Sequence, residues 1–168
     1  MKHHQAAIKI NPNFAASYYN LGILYVEMED LSNAVKAFRQ AVALRPVWSE
    51  ALSSLGIALA KQGRYDIAIP TLRKAVKVDA NNKDALFNLA TVYKMTGQYE
   101  MAAQAYKALL EIDPRDVEAM HNLGVIYMKH LKNIQQARLY FNKALSTDPG
   151  YSQAVTVRKI LSRIGTEP

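Results

Sequence analysis

The chain has 168 residues, half of them apolar and about a fifth charged, the composition of one folded domain and not of bulk disorder. It holds no cysteine, which excludes disulfides, thiolate metal sites and a cysteine nucleophile and leaves the redox compartment open. Lys and Arg number 21 against 14 Asp and Glu, a net charge of +7 that favours acidic partners if clustered and means little if spread.

The opening "MKHHQAAIKINPNF", residues 1 to 14, reads as the end of a helix, because apolar helix formers run into an Asn-Pro-Asn stop. Four stretches then follow one plan. "NLGILY" from Asn20 leads through the turn "EDLS" to Ala34 and Phe38 and stops at "RPVW" from Arg45. "SLGIAL" from Ser54 leads through "GRYD" to Ala68 and Leu72 and stops at "DANN" from Asp79. "NLATVY" from Asn88 leads through "GQYE" to Ala102 and Tyr106 and stops at "DPRD" from Asp113. "NLGVIY" from Asn122 leads through "KNIQ" to Ala137 and Phe141 and stops at "DPGY" from Asp148. The four starts are 34 residues apart each time, and a large residue four after a small one marks one face of a helix. Pro70 lies inside the second helix of the second stretch, early enough for the helix to continue past it with a mild kink. Last comes "YSQAVTVRKILSRIG", with apolar residues at Ala154, Val157, Leu161 and Ile164, which predicts a closing helix over 151–164 and a frayed Thr166-Glu167-Pro168.

This pattern resembles the tetratricopeptide repeat family, 34-residue helix-turn-helix units with Leu-Gly, Tyr, Ala, Phe and Pro at fixed steps. The resemblance implies an all-α, right-handed α-solenoid in a single domain over 1–168. Its parts are a half repeat at 1–14, whole repeats at 15–48, 49–82, 83–116 and 117–151, and a capping helix at 151–164. Departures are local: Ala80 replaces the closing proline, Leu109 falls where a small residue is usual, and "MKHLKN" from Met128 carries one extra residue and lacks the turn glycine. On this register Pro12 matches Pro46, Pro114 and Pro149, and Ala7 matches Ala41 and Ala75. Residues 2–10 are then the second helix of a unit whose first helix is absent, with His4 where Phe38 and Leu72 stand. A glycine inside a helix costs about 1 kcal/mol against alanine. Gly22, Gly56 and Gly124 therefore imply close helix crossings, which the spacing places against Ala34, Ala68 and Ala137.

Sequence signatures of chemistry are missing. No phosphate-cradling glycine loop, His-Glu-x-x-His pair or Gly-x-Ser-x-Gly turn occurs, so no enzyme, metal or cofactor is expected. His3 and His4 point apart on a helix, His121 and His130 are nine residues apart, and Asp79, Asp113 and Asp148 recur in the closing turns as turn formers. No run approaches the roughly 18 apolar residues of a spanning helix and no signal-peptide pattern opens the chain, which makes the cytoplasm the default expectation.

In the family the first helix of each unit lines the concave side. The residues this implies for the groove are Tyr19, Asn20, Ile23 and Glu27, then Ser53, Ser54, Ile57 and Lys61. Phe87, Asn88, Thr91 and Met95 follow, and then His121, Asn122, Val125 and Lys129. Asn20, Asn88 and Asn122 resemble the asparagine ladder in the repeat domain of the O-linked N-acetylglucosamine transferase. A side-chain amide matches both groups of a peptide backbone whatever the peptide's sequence, although it can equally bond to a neighbouring unit. The cationic carboxylate clamp of chaperone-tail-binding members has no counterpart here. Arg39, Arg73 and Lys107 share one step on the second helices, Lys74 and Lys143 the next, as a solvated outer face with no aromatic platform for nucleic acid.

The expected function is a protein-interaction module or scaffold that binds an extended peptide or a partner helix, with apolar anchors and an acidic residue, in the groove. The alternatives are a scaffold that self-assembles through the N-terminal half repeat, giving a homo-oligomer, and a substrate-docking arm of a larger enzyme. Nucleic acid and membrane insertion are not expected.

Overall fold

Four helices in this chain begin on side chains that replace missing backbone partners, and four others start without such a cap. The computed structural model describes residues 13–164. Among them are α1 (Ala15–Glu27), α2 (Leu31–Leu44), α3 (Ser49–Lys61), α4 (Tyr65–Val78) and α5 (Lys83–Met95). They are followed by α6 (Tyr99–Ile112), α7 (Val117–Lys129), α8 (Ile134–Thr147) and α9 (Ala154–Ile164). The expected second helix over 2–10, His3, His4 and the end at 166–168 lie outside the described residues.

Asp30, Asn82, Asp116 and Asn133 cap α2, α5, α7 and α8, each accepting from the backbone N–H three residues on. The closing-turn carboxylates act as turn formers. Asp79, Asp113 and Asp148 each accept a backbone N–H two residues on, at 2.9, 3.2 and 2.9 Å. Inside each pair the turn needs one left-handed residue, at Glu29 (φ 60°), Gly63 (76°), Gly97 (76°) and Lys132 (51°). In the first three turns the next residue's N–H returns to the aromatic or Leu step of the first helix, as from Asp30 to Tyr25, Arg64 to Leu59 and Gln98 to Tyr93. In the fourth, Asn133 returns to Tyr127, one residue further back in sequence, which absorbs the extra residue of "MKHLKN" without losing the bond.

The described chain packs as two compact units divided at Val92 and Tyr93, within α5. In the first, α1 packs on α2, α2 on α3 and α3 on α4. Ala34, Ala68, Phe38 and Leu72 are all buried there. Leu52, Ala75 and Ala85 join α3, α4 and the start of α5 in one core cluster flanked by Val42, Val76 and Val78. Buried Ser49 donates to the carbonyl of Ala75 at 3.0 Å and accepts from the Asn82 amide at 2.8 Å, so the α5 cap is tied to the last turn of α4. In the second unit α6 packs on α7, α7 on α8 and α9 on α8, burying Leu123, Ile126, Ala137, Phe141, Ala144, Ala154 and Val157.

The glycine crossings are close, but their partner differs from the expected alanines. A Cβ on Gly22 would stand 2.5 Å from the Phe38 ring, one on Gly56 2.5 Å from Leu72, and one on Gly124 2.5 Å from the Phe141 ring. The large residue one turn beyond each alanine reaches back along its helix and lies over the glycine, because helical side chains lean toward the N-terminus. Pro70 is the sixth residue of an unbroken α4 and is exposed, so its ring meets solvent.

Candidate functional site

In the first unit the first-helix positions bring five of the expected groove residues together. Tyr19, Ser54, Phe87 and Asn88, with Ser53, line a cavity of about 200 Å³ whose remaining walls are Glu50, Asn82 and Asp84. Tyr19 is held by its neighbours, with its ring centroid 5.7 Å from Phe38 and 4.7 Å from Trp48. The Arg45 guanidinium lies 4.5 Å over the Trp48 ring. The Asn88 amide donates to the buried Ser53 hydroxyl at 3.0 Å, so this asparagine joins successive first helices. Asn20, Glu27 and Lys61 are exposed, Ile23, Ile57 and Thr91 are half-buried, and none of the six lines this cavity.

Glu50, Asn82 and Asp84 are absent from the sequence-derived groove. A signal for two of them exists: Glu50, Asp84 and Glu118 recur every 34 residues in the first turn of α3, α5 and α7. Acidic residues there also suit the positive end of the helix dipole, which makes the pattern ambiguous from sequence.

In the second unit the Lys94 ammonium donates to the Asn122 amide oxygen at 2.7 Å. Burial lowers the Lys94 pKa from its ordinary value, and the Glu118 carboxylate works against that shift. His121 and the Tyr151 hydroxyl are 3.3 Å apart through Nδ1, and the His121 ring also meets Phe141 at 5.9 Å. Burial pushes the His121 imidazole below its usual range, and the Lys94 charge pushes the same way. Val125 is half-buried and Lys129 exposed. Sequence reading misses Lys94 because the same step holds Val26, Ala60 and Met128.

The outer cations have aromatic company after all. Lys107 lies 5.4 Å from the Tyr127 ring centroid and Lys143 5.4 Å from that of Tyr140, and the two tyrosines stack at 5.8 Å. These two lysines are thus engaged with rings of their own unit. Arg39, Arg73 and Lys74 are exposed in the first unit. Among the described residues no three His, Asp or Glu side chains are grouped to hold a metal ion, and no helix is long and apolar enough to cross a membrane.

Several solved structures share this fold. MamA superposes with a TM-score of 0.82 at 25% identity, over 89% of this chain and 87% of its own. A MamA from Desulfovibrio magneticus RS-1, residues 41 to its end, gives 0.80 at 22% identity over 90% and 85%. YrrB, described as a tetratricopeptide repeat protein with an unusual peptide-binding site, gives 0.78 at 26% identity over 93% and 80%. No curated protein matches the chain significantly by sequence. The tetratricopeptide repeat family model matches residues 19–77, 53–116 and 87–152, overlapping stretches that together span most of the chain. With that match, the 34-residue step and the paired helices in agreement, the chain belongs to the tetratricopeptide repeat family.

Proposed function

We propose that this chain is a non-catalytic protein-interaction module that binds an extended peptide or a partner helix across its first helices. Tyr19, Asn20, Ile23, Glu27, Ser54, Ile57, Lys61, Phe87, Asn88 and Thr91 form the contact face of the first unit, and His121, Asn122, Val125 and Lys129 that of the second. The whole repeats at 15–48, 49–82, 83–116 and 117–151, closed by the cap at 151–164 whose helix is Ala154–Ile164, carry these two faces. The observation that carries the reading is the cavity in the first unit, where aromatic walls and side-chain amides converge on one surface. Backbone-matching amides beside apolar anchors are what extended-peptide recognition uses. A peptide-binding site named for YrrB, at 26% identity, supports the same reading.

Selection of random linear peptides on the immobilised chain tests it. Enriched peptides should bind the Asn88→Ala, Asn122→Ala double variant roughly tenfold more weakly, the worth of one to two lost hydrogen bonds, with helical circular dichroism unchanged. Undiminished binding would remove the asparagines from the contact face.

A second reading, self-association, is favoured by one feature of the first unit. Leu52 and Leu59 of α3 are buried, whereas their counterparts 34 residues earlier, Tyr18 and Tyr25 of α1, line, among the described residues, a basin of about 480 Å³ with Leu21, Lys36 and Ala37. Copies meeting there would give a sedimentation coefficient that rises with protein concentration and stops rising when Tyr18 and Tyr25 become Glu. A constant coefficient for the unaltered chain rules this reading out.

A further inference from the structure

We propose that the cavity between α1, α3 and α5 receives the guanidinium of an arginine in the bound peptide. This rests on the peptide-binding reading above and narrows it, since the net charge of +7 and the groove lysines alone favour an acidic ligand. The cavity has its own chemistry. At about 200 Å³ it is smaller than the roughly 300–1,000 Å³ usual for cofactor or drug-sized ligands and suits one long side chain.

Its hydrogen-bonding inventory runs toward acceptors. The Asn82 amide donates inward to Ser49, and its oxygen is taken by the N–H of Ala85. The Asn88 amide donates sideways to Ser53. Two donor groups of the lining are thus turned to the protein, while the Glu50 and Asp84 carboxylates, which accept only, stand exposed at its rim. Hydroxyls of Tyr19, Ser53 and Ser54 can still donate, but the two carboxylates favour a guest that brings donors and positive charge. The side walls, Tyr19 and Phe87, are aromatic, which favours a flat cation over a compact ammonium. The cluster that holds Tyr19 already accommodates one guanidinium, that of Arg45 over Trp48. The helix dipole explains why acids stand in the first turns of α3 and α5, but not why aromatic rings flank them around a cavity.

The test is a nitrogen-15 amide titration of the full chain with four capped pentapeptides, alanine throughout except for a central Arg, Lys, Ala or Glu. The arginine peptide should shift Ser53, Ser54 and the Asn88 side-chain amide and bind about tenfold tighter than the alanine peptide, one charge-assisted hydrogen bond's worth, with lysine between them. Glu50→Gln with Asp84→Asn, both at exposed positions, should erase the arginine preference and leave the chain folded, with a thermal midpoint lowered only by the lost helix-dipole contribution of two first-turn acids. Equal binding of the arginine and alanine peptides, or an arginine preference that survives the double variant, overturns the cavity proposal and leaves the peptide-binding face standing. Lysine binding as tightly as arginine overturns the guanidinium assignment. Shifts by none of the four peptides, up to millimolar concentration, overturn both.

Discussion

Gly56 shows how little room one side chain can have. Alanine there would gain about 1 kcal/mol of helix propensity, yet its Cβ would stand 2.5 Å from the branch carbon of fully buried Leu72. Overpacking of this kind costs about 1–3 kcal/mol, so Gly56→Ala should lower the thermal midpoint and Gly56→Leu lower it further. A raised midpoint would refute the crossing. Gly63 is the contrast: nothing lies within 4 Å of its Cβ position, and its φ of 76° alone makes the residue matter. His121 carries a different kind of sensitivity. Its pKa is lowered in the folded chain, so the unfolded chain binds a proton that the folded one lacks as pH falls below the ordinary imidazole range. The stability from neutral His121 is full above that range and drains as pH falls toward the lowered value. Urea midpoints measured between about pH 5 and 8 should show this slope, and His121→Phe should flatten it.

At the scale of elements, the turns separate what the sequence states from what it conceals. The Asp-Pro stops, the Leu-Gly steps and the 34-residue period give nearly every helix end, because proline and the Asx turn act locally. That Glu29 and Lys132 would take the left-handed position held elsewhere by Gly63 and Gly97 is not visible in their chemistry. Only the step reveals it, and in the fourth pair the step is shifted by one. A non-glycine residue at that φ carries strain of about 1 kcal/mol, so Lys132→Gly should raise the thermal midpoint, a gain absent if the turn adopts another geometry. The candidate site was legible in the same uneven way. Tyr19, Ser54, Phe87 and Asn88 follow from the family's inner face, whereas Glu50, Asp84 and Lys94 depend on side-chain reach across neighbouring helices. The partner of Gly22 was missed for that reason too: Phe38 leans back one turn, and a count along the chain stops at Ala34. Asn82 belongs to three elements at once, as cap of α5, donor to Ser49 of α3 and, through Ser49, support of the α4 terminus. Asn82→Ala should cost about 1–3 kcal/mol in denaturant unfolding. Asn82→Asp, which keeps the cap acceptor, should recover part of that loss.

For the whole molecule, several of the cations behind the sum of +7 are already engaged with neutral groups of the chain itself. Lys107 and Lys143 rest on tyrosines, Lys94 is bonded to Asn122, and Arg45 covers Trp48. The net charge therefore describes the chain's solubility better than its choice of partner. Asn82 stands both in the seam joining two repeats and in the wall of the cavity proposed for arginine. A seam and a binding wall that share a side chain cannot be loaded independently: whatever steadies the amide from the cavity side also steadies the joint. Occupancy should then slow hydrogen exchange at Ala85, whose N–H the Asn82 oxygen holds at 2.9 Å, while leaving the cap of α8 at Gln136 unchanged. Repeat proteins are usually pictured as springs whose stiffness is fixed by their packing. Here one hinge of the spring would tighten when the chain takes hold of something.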